Sequence, residues 1–195
     1  MSNKEIQRNF LKARKVKGRR IKSRNLNKNS VSLAGEFAVL SQLALRGYDA
    51  NMTIGRTKSV DILVSDPETG DMFKVEVKTN YMSSQSAGGS SKLFGKYISA
   101  WPMNEKHEHI KEPNLFYCFV NINKEGQSFR YFIVPSKVVA QYVKRQHKLW
   151  LDEKETHSRS NKMRTFRIGL KEEKYPIPTP TVEEYENNWD FLPAR

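Results

Sequence analysis

A continuous apolar run near the middle of the chain, residues 114–122, constrains the fold more than any other feature of the sequence. A strand with one face in water alternates apolar and polar residues, whereas this run is apolar at seven of its nine positions. Such a strand is buried on both faces and lies inside a sheet that is covered on both sides. The 195 residues are enough for one well-packed domain around such a sheet.

Helical patterns occur on both sides of this run. The first predicted helix extends from Ser32, as its N-cap, to Gly47. Its apolar residues recur at helical spacing, at Leu33, Phe37, Leu40 and Ala44. A second helix is predicted from Pro135-Ser136 to about Leu151, with Val139, Tyr142, Val143 and Trp150 on its inner face. A last helix is predicted at about 182–192.

Further strands are predicted at about 49–54, 59–65, 72–79, 129–134 and 165–170. Together with the helices they predict an α/β sandwich around a mixed sheet. Residues 80–96 contain five serines and three glycines, which predicts a mobile loop. Because the loop follows the 72–79 strand, it contacts a substrate or simply connects two strands, and both interpretations stay open.

Positive charge is concentrated at the N-terminus. Residues 1–28 hold eleven of the 34 lysines and arginines against a single acid, Glu5, and so carry +10 of the formal net charge of +13. A cationic arm on a nearly neutral body is suited to binding a polyanion. The predicted nucleic-acid-binding residues are Arg14, Lys15, Lys17, Arg19, Arg20, Lys22 and Arg24. The alternative is a solubilising tail; a membrane-surface helix is disfavoured because the apolar residues of this segment are sparse.

The remaining composition excludes several classes of protein. Cys118 is the only cysteine, which rules out an intramolecular disulfide and a cysteine-rich zinc site and favours a reducing, cytoplasmic setting. The sequence has no apolar run of the length that spans a membrane and no secretory signal, so we expect no membrane partner.

Two neighbouring strands are joined by a turn, and each carries an acidic residue toward the end that lies away from the turn, so the two acids come side by side. Asp61 lies in the 59–65 strand, Glu76-Val77-Lys78 closes the 72–79 strand, and turn-forming residues occupy 65–71. Two carboxylates and a lysine side by side suffice to hold a divalent cation against a phosphodiester. The simpler alternatives are that Asp61 faces water at a sheet edge, and that Glu76 and Lys78 belong to a half-exposed strand.

Glu36 lies on the same predicted helical face as the apolar residues Leu40 and Leu43. A carboxylate on an inward face needs a partner, because an unpaired buried charge is costly, and a metal ion or a lysine would serve. The alternative is a helix-start glutamate that interacts with the helix dipole or with an arginine.

This ordered set resembles the PD-(D/E)xK nuclease superfamily, which includes many restriction endonucleases and Holliday-junction resolvases. Val60-Asp61 stands where the family often has Pro-Asp, Glu76-Val77-Lys78 stands as its (D/E)xK motif, and Glu36 matches a helix glutamate found upstream in several branches. The resemblance covers 32–80 and extends more loosely over 115–151, which is similar to small uncharacterised bacterial members.

The resemblance implies a restriction-endonuclease-like α/β core, with a central mixed β-sheet flanked by helices in the order helix-strand-strand-strand-helix-strand. We therefore divide the chain into a basic flexible arm at 1–29, a nuclease-like domain at 30–175, and a C-terminal linker and helix at 176–195 that packs on the core.

The activity that the resemblance implies is Mg²⁺-dependent hydrolysis of DNA phosphodiester bonds, with Mn²⁺ as a substitute. Asp61, Glu76 and the Val77 carbonyl are the expected metal ligands, Lys78 orients or deprotonates the attacking water or stabilises charge, and Glu36 completes the site or holds a second ion. Double-stranded or branched DNA is the expected partner, and cutting both strands implies a homodimer. The alternative is a non-catalytic DNA- or RNA-binding protein that retains the fold.

Other candidate residues are interpreted as structural. The pair His107 and His109 lies in a polar segment, so we expect both rings to be solvated rather than to bind a metal. Trp101, Trp150 and Trp189 are predicted to be packing residues, with base stacking as the alternative for Trp101 beside the serine-rich loop.

Overall fold

The computed structural model describes residues 26–53, 60–82, 90–125, 127–170 and 175–192. The predicted nucleic-acid-binding residues between Arg14 and Arg24 lie outside the described residues, and so do residues 83–89 of the serine-rich segment.

The described residues form three α-helices, a 3₁₀ helix and nine strands. The helices are α1 Lys28–Ala44, the 3₁₀ helix Glu105–Glu108, α2 Ser136–Glu153 and α3 Val182–Tyr185. The strands are β1 Asp49–Met52, β2 Ile62–Ser65, β3 Met72–Met82, β4 Ser90–Ser91, β5 Gly95–Lys96, β6 Ser99–Asn104, β7 Leu115–Asn123, β8 Phe129–Pro135 and β9 Met163–Ile168. Of these, β4 and β5 fall within the loop predicted at 80–96, and β6 lies in a segment to which the sequence assigned no element.

Five strands form a mixed sheet in the order β1-β2-β3-β7-β8. The β1, β2 and β3 strands pair antiparallel, β3 and β7 pair parallel, and β7 and β8 pair antiparallel. The β3 strand extends to Met82 because it pairs with β7 from Lys74 opposite Leu115 to Met82 opposite Asn123. The structure therefore confirms an α/β protein with a mixed central sheet.

Hydrophobic cores cover both faces of this sheet. On one face, α1 contributes Val39 and Leu43, which pack with Val75, Val77 and inward residues of β7. On the other face, the β6–β9 ribbon and α2 enclose Tyr117 and Phe119 of β7. The first eight of the nine β7 residues are buried, which confirms the doubly covered strand.

The order of elements after β3 differs from the expected helix-then-strand order. Among the described residues, the crossover from β3 to β7 contains β4, β5, β6 and the 3₁₀ helix, and the long helix α2 follows β8. The β6 strand was missed because Pro102 argues against a central strand, but β6 lies in a two-stranded ribbon, where proline is tolerated.

The first helix begins earlier and buries a different face than predicted. Asn27 is its N-cap, with a side chain that accepts a hydrogen bond from Ser30 N at 2.7 Å. Leu33 and Phe37, predicted to be inward, are 45% and 54% exposed. A methyl group on Gly35 would lie 1.9 Å from Thr79 Oγ1, so the helix contacts the sheet through its Gly35 side.

The C-terminal segment packs against the same face as α1. The helix predicted at 182–192 ends at Tyr185, because Asn187 and Phe191 have φ angles of 56° and 50°, which no α-helix accommodates. Phe191 stacks on Phe73 with ring centroids 5.0 Å apart. Trp189 is 5% exposed.

Trp101 is 1% exposed and donates to Val120 O at 3.3 Å, so the packing interpretation of this residue is confirmed and base stacking is excluded. Trp150, predicted on the inner face of α2, is only half-buried.

No helix among the described residues has the length and apolarity needed to cross a membrane.

Candidate functional site

The site forms in a notch beside β3, just before the first residue of β2, where β3 stays paired with β7 but has no strand partner on its β2 side. Asp61, just before β2, donates from its backbone N–H to Val75 O at 2.9 Å, which is the last backbone hydrogen bond between the two strands at this end. The Asp61 side chain takes the next position, where its Oδ2 accepts a hydrogen bond from Val77 N at 2.7 Å. The sheet backbone therefore fixes the Asp61 carboxylate.

The Val77 carbonyl points to the same notch. Successive residues of a strand direct their backbone groups to opposite neighbours. The N–H of Lys74 bonds to Asn114 O on the β7 side, so Val77, three residues later, directs both its N–H and its C=O to the β2 side. The pairing of β2 with β3 stops at Val75, so no residue of β2 lies opposite Val77.

Glu76 and Lys78 project together from the face of β3 opposite α1. Glu76 is 3% exposed, and its Oε1 accepts from Lys78 Nζ at 2.5 Å. The Lys78 side chain is 28% exposed, so it connects this buried carboxylate to the surface. The strand alternation that the sequence indicated is thus what brings the acid and the base together.

His107 is a member of the site that the sequence interpretation missed. It was expected to be solvated, but it is 4% exposed, with Nε2 3.6 Å from Glu76 Oε1. Its Nδ1 lies 2.9 Å from Asn104 N and 2.8 Å from Asn104 O; in the tautomer that accepts from Asn104 N, the ring proton is on Nε2, toward Glu76. Asn104 and His107 have the spacing of a capping box, which could have predicted the short helix from the sequence. The spacing does not predict what this helix packs against.

Three buried polar atoms around Glu76 have no hydrogen-bond partner among the described residues. They are Glu76 Oε2, His107 Nε2 and the hydroxyl of Tyr117, which lies opposite Glu76 in the β3–β7 register. Burial and the charge of Glu76 raise the pKa of Tyr117, so this phenol stays protonated. The second oxygen of the Glu76 carboxylate is therefore an acceptor that remains open to a further ligand.

The two strand carboxylates titrate in opposite directions. Burial works to raise the pKa of Glu76, but His107 and Lys78 outweigh it and lower the pKa to about 2. Burial raises the pKa of Asp61, and the charges of Glu36 and Glu76 raise it further against the opposing effects of Val77 N–H and Lys78. Asp61 is thus a carboxylate whose charged form is disfavoured chiefly by burial, with a smaller contribution from the charges of Glu36 and Glu76.

Glu36 belongs to this electrostatic group but is bonded locally. It is half-buried on α1, and its Oε1 accepts from Ser32 Oγ at 3.1 Å. Its negative charge acts on Asp61, so the structure brings the predicted helix carboxylate into electrostatic range of the notch.

The notch offers a divalent cation only a few oxygen donors. Among the described residues, no group of three or more His, Cys, Asp or Glu side chains is arranged to hold a metal ion. Asp61, Glu76 and the Val77 carbonyl remain as oxygen donors, and hard cations such as Mg²⁺ accept such a set with water completing the shell.

Comparisons with known proteins add little to this geometry. No family model matches the sequence, and no curated protein matches it. Among solved structures, the chain is similar to a bacterial homing endonuclease, I-Ssp6803I, with 12% identity over 84% of this chain and 88% of that chain and a TM-score of 0.44. A likeness at this level defines neither a family nor an activity for this chain.

Proposed function

We propose that this protein is a metal-dependent endonuclease that hydrolyses phosphodiester bonds of DNA. The observation that carries the proposal is the buried Glu76 carboxylate. One of its oxygens pairs with Lys78, and the other is buried without a partner among the described residues. Beside it, Asp61 is held by the β3 backbone with a raised pKa.

Each residue has a role that follows from its position. Asp61 and Glu76 would hold Mg²⁺, or Mn²⁺ in its place, together with the Val77 carbonyl. When bound, the ion supplies charge neutralisation at the phosphoryl oxygens and lowers the pKa of a coordinated water. His107 fixes the orientation of Glu76, and Glu36 adds negative charge that strengthens cation binding at Asp61.

Lys78 is the residue that acts on the substrate side. Its Nζ is anchored to Glu76 Oε1, while its partly exposed side chain opens toward solvent. From there the ammonium group can orient the attacking water, take part in its deprotonation or neutralise charge on the phosphate. Removing it should therefore affect cleavage more than binding.

DNA as the substrate is supported by the distribution of charge in the sequence. The segment 1–28 carries +10, and we propose that Arg14 to Arg24 bind the phosphate backbone. Cutting both strands requires two active centres, so a homodimer belongs to the same proposal. Restriction-type and structure-specific cleavage remain alternatives within it.

A second candidate is a non-catalytic nucleic-acid-binding protein. The observation in its favour is that Lys78 already neutralises Glu76 at 2.5 Å without any metal, as a structural ion pair does. The partnerless second oxygen of Glu76 argues against it, because a purely structural pair would satisfy both oxygens.

The test is cleavage of supercoiled plasmid, linear duplex and a four-way junction, each with Mg²⁺, Mn²⁺ or EDTA. The proposal predicts metal-dependent cutting that is lost in Glu76→Ala, and the preferred substrate separates restriction-type from junction cleavage. Binding to all three without cutting by the wild-type protein would favour the second candidate.

A further inference from the structure

A second cleft, outside the notch, is built around buried arginines. It has a volume of about 510 Å³ and lies between the C-terminal end of α2, the β9 strand and residues 92–94. The lining residues that carry the argument are Lys92, Phe94, Trp150, Lys154, Arg164 and Arg167.

Arg167 is a buried cation whose hydrogen bonds are incomplete. It is 9% exposed, and its Nε is buried without a hydrogen-bond partner among the described residues. The guanidinium donates to Gln146 Oε1 and lies 4.0 Å from the centroid of the Phe94 ring and 5.4 Å from that of Tyr97. Neutral partners of this kind do not balance a buried charge.

Arg164, three residues earlier, shows what a satisfied arginine looks like in the same cleft. It is 6% exposed, its Nε pairs with Glu108, and its Nη1 donates to Asn161 O at 2.7 Å and Met163 O at 3.0 Å. Arg164 is therefore a structural residue. Arg167 has no such ion pair among the described residues.

The charge of the described lining is strongly positive. Lys92 and Lys154 are exposed at the rim, and Glu153 is the one acidic residue among the described lining residues. Glu172 and Glu173 lie in the segment 171–174, outside the described residues. The cleft is thus shaped to receive an anion at its buried arginine.

The aromatic rings of the cleft are already covered by other side chains, and this limits how an anionic ligand can be recognised. The ring of His157 stacks on Trp150 with centroids 3.9 Å apart and an interplanar angle of 5°, and His147 stacks at 5.5 Å. Arg167 lies over the Phe94 ring. These rings are not open platforms for stacking a base, so the cleft offers hydrogen bonds and charge instead.

We propose that this cleft binds a phosphate group of the nucleic-acid strand away from the scissile position, with Arg167 as the buried ligand. The proposal rests on the proposed function for the identity of the strand. A guanidinium that keeps an unsatisfied donor, as Arg167 does at Nε, is well matched to phosphate oxygens.

The connection between the cleft and the notch is short and rigid. Arg167 is opposite Ala100 in the β6–β9 ribbon, and Ala100 O accepts from Asn80 Nδ2 at 2.6 Å. Asn80 lies two residues beyond Lys78 on β3. The Cα atoms of Arg167 and Lys78 are thus on the order of 20 Å apart or closer, which is about six nucleotides of rise on a duplex.

The test measures duplex binding as a function of salt, in EDTA so that no cleavage occurs. Fluorescence anisotropy is recorded for the wild type, Arg167→Gln and Lys137→Gln. Lys137 is exposed near the start of α2, about 14 Å along the helix from Gln146, the first α2 residue that lines the cleft, and its variant loses the same charge. We expect Arg167→Gln alone to reduce the slope of log K against log salt by about one.

Because Arg167 is buried, the exposed double variant Lys92→Gln/Lys154→Gln serves as a second test that does not disturb the interior. We expect it to lower the salt slope as well. Unchanged slopes in this variant and in a folded Arg167→Gln would overturn the proposal. If phosphate salts raised the melting temperature of the wild type alone while the duplex slopes stayed equal, the cleft would bind free anions, and the strand assignment would be wrong.

The outcome is independent of catalysis. Glu76→Gln is expected to lose cleavage and keep the wild-type salt slope. A wild-type protein that never cuts would contradict the proposed function, and the salt slopes would still decide the role of the cleft.

Discussion

Replacing Glu76 by glutamine removes the charge on which the site depends, and its effect on stability can be calculated. The pKa of Glu76 is about 2 in the folded protein, against 4.5 for an ordinary glutamate. Because the folded-state value is the lower one, ionisation stabilises the fold above pH 4.5, and this contribution is lost as the pH falls toward 2. Linkage gives about 3 kcal/mol at neutral pH, of which about 2 kcal/mol is lost by about pH 3.

The assay is urea denaturation of the wild type and Glu76→Gln, in EDTA, between about pH 6 and pH 3. The free energy of unfolding of the wild type should fall by about 2 kcal/mol more than that of the variant over this range. Glu68→Gln, in the exposed turn between β2 and β3, is the control for the loss of one carboxylate and should follow the wild type. A difference between wild type and Glu76→Gln that stays constant with pH would refute the reasoning.

Three further changes test other parts of the account. Gly35→Ala places a methyl group against Thr79, so the free energy of unfolding in urea should fall by about 1–3 kcal/mol, and an unchanged value would contradict the close contact of α1 with β3. His107→Phe removes the ring nitrogen Nε2 that faces Glu76. In a metal titration, its Mg²⁺ affinity or its cleavage activity should fall about 10–100-fold, and wild-type behaviour would exclude a positioning role. Asp61→Asn removes a carboxylate whose ionised form is disfavoured chiefly by burial, so without metal its urea midpoint near neutral pH should equal or exceed that of the wild type while cleavage is lost. A large drop in the midpoint would contradict the raised pKa of Asp61.

The strand that carries the acid and the lysine could be predicted from the sequence because its determinants are local. Alternation along β3 puts Glu76 and Lys78 on one face, and the turn after β2 brings Asp61 to the same end of the hairpin. The doubly buried β7 could be predicted for the same reason, since an unbroken apolar run allows no exposed face.

The features that could not be predicted depend on contacts between distant residues. The buried face of α1 is decided by the approach of Gly35 to Thr79, which helical periodicity does not encode. His107 reaches Glu76 because its 3₁₀ helix packs against α2 and β6 and places the ring beside Tyr117, and no local pattern predicts this. The incomplete hydrogen bonding of Arg167 depends likewise on which side chains surround it in the fold.

The measurement that tests the central claim most directly is single-turnover cleavage by Lys78→Ala beside Lys74→Ala, with DNA binding measured for both. The two lysines lie on the same face of β3, and Lys74 pairs with Glu112 at 2.8 Å, so the variants lose the same charge from the same strand. We expect Lys78→Ala to abolish cleavage with binding nearly intact, while Lys74→Ala cuts like the wild type. Cleavage by Lys78→Ala at the wild-type rate would contradict it.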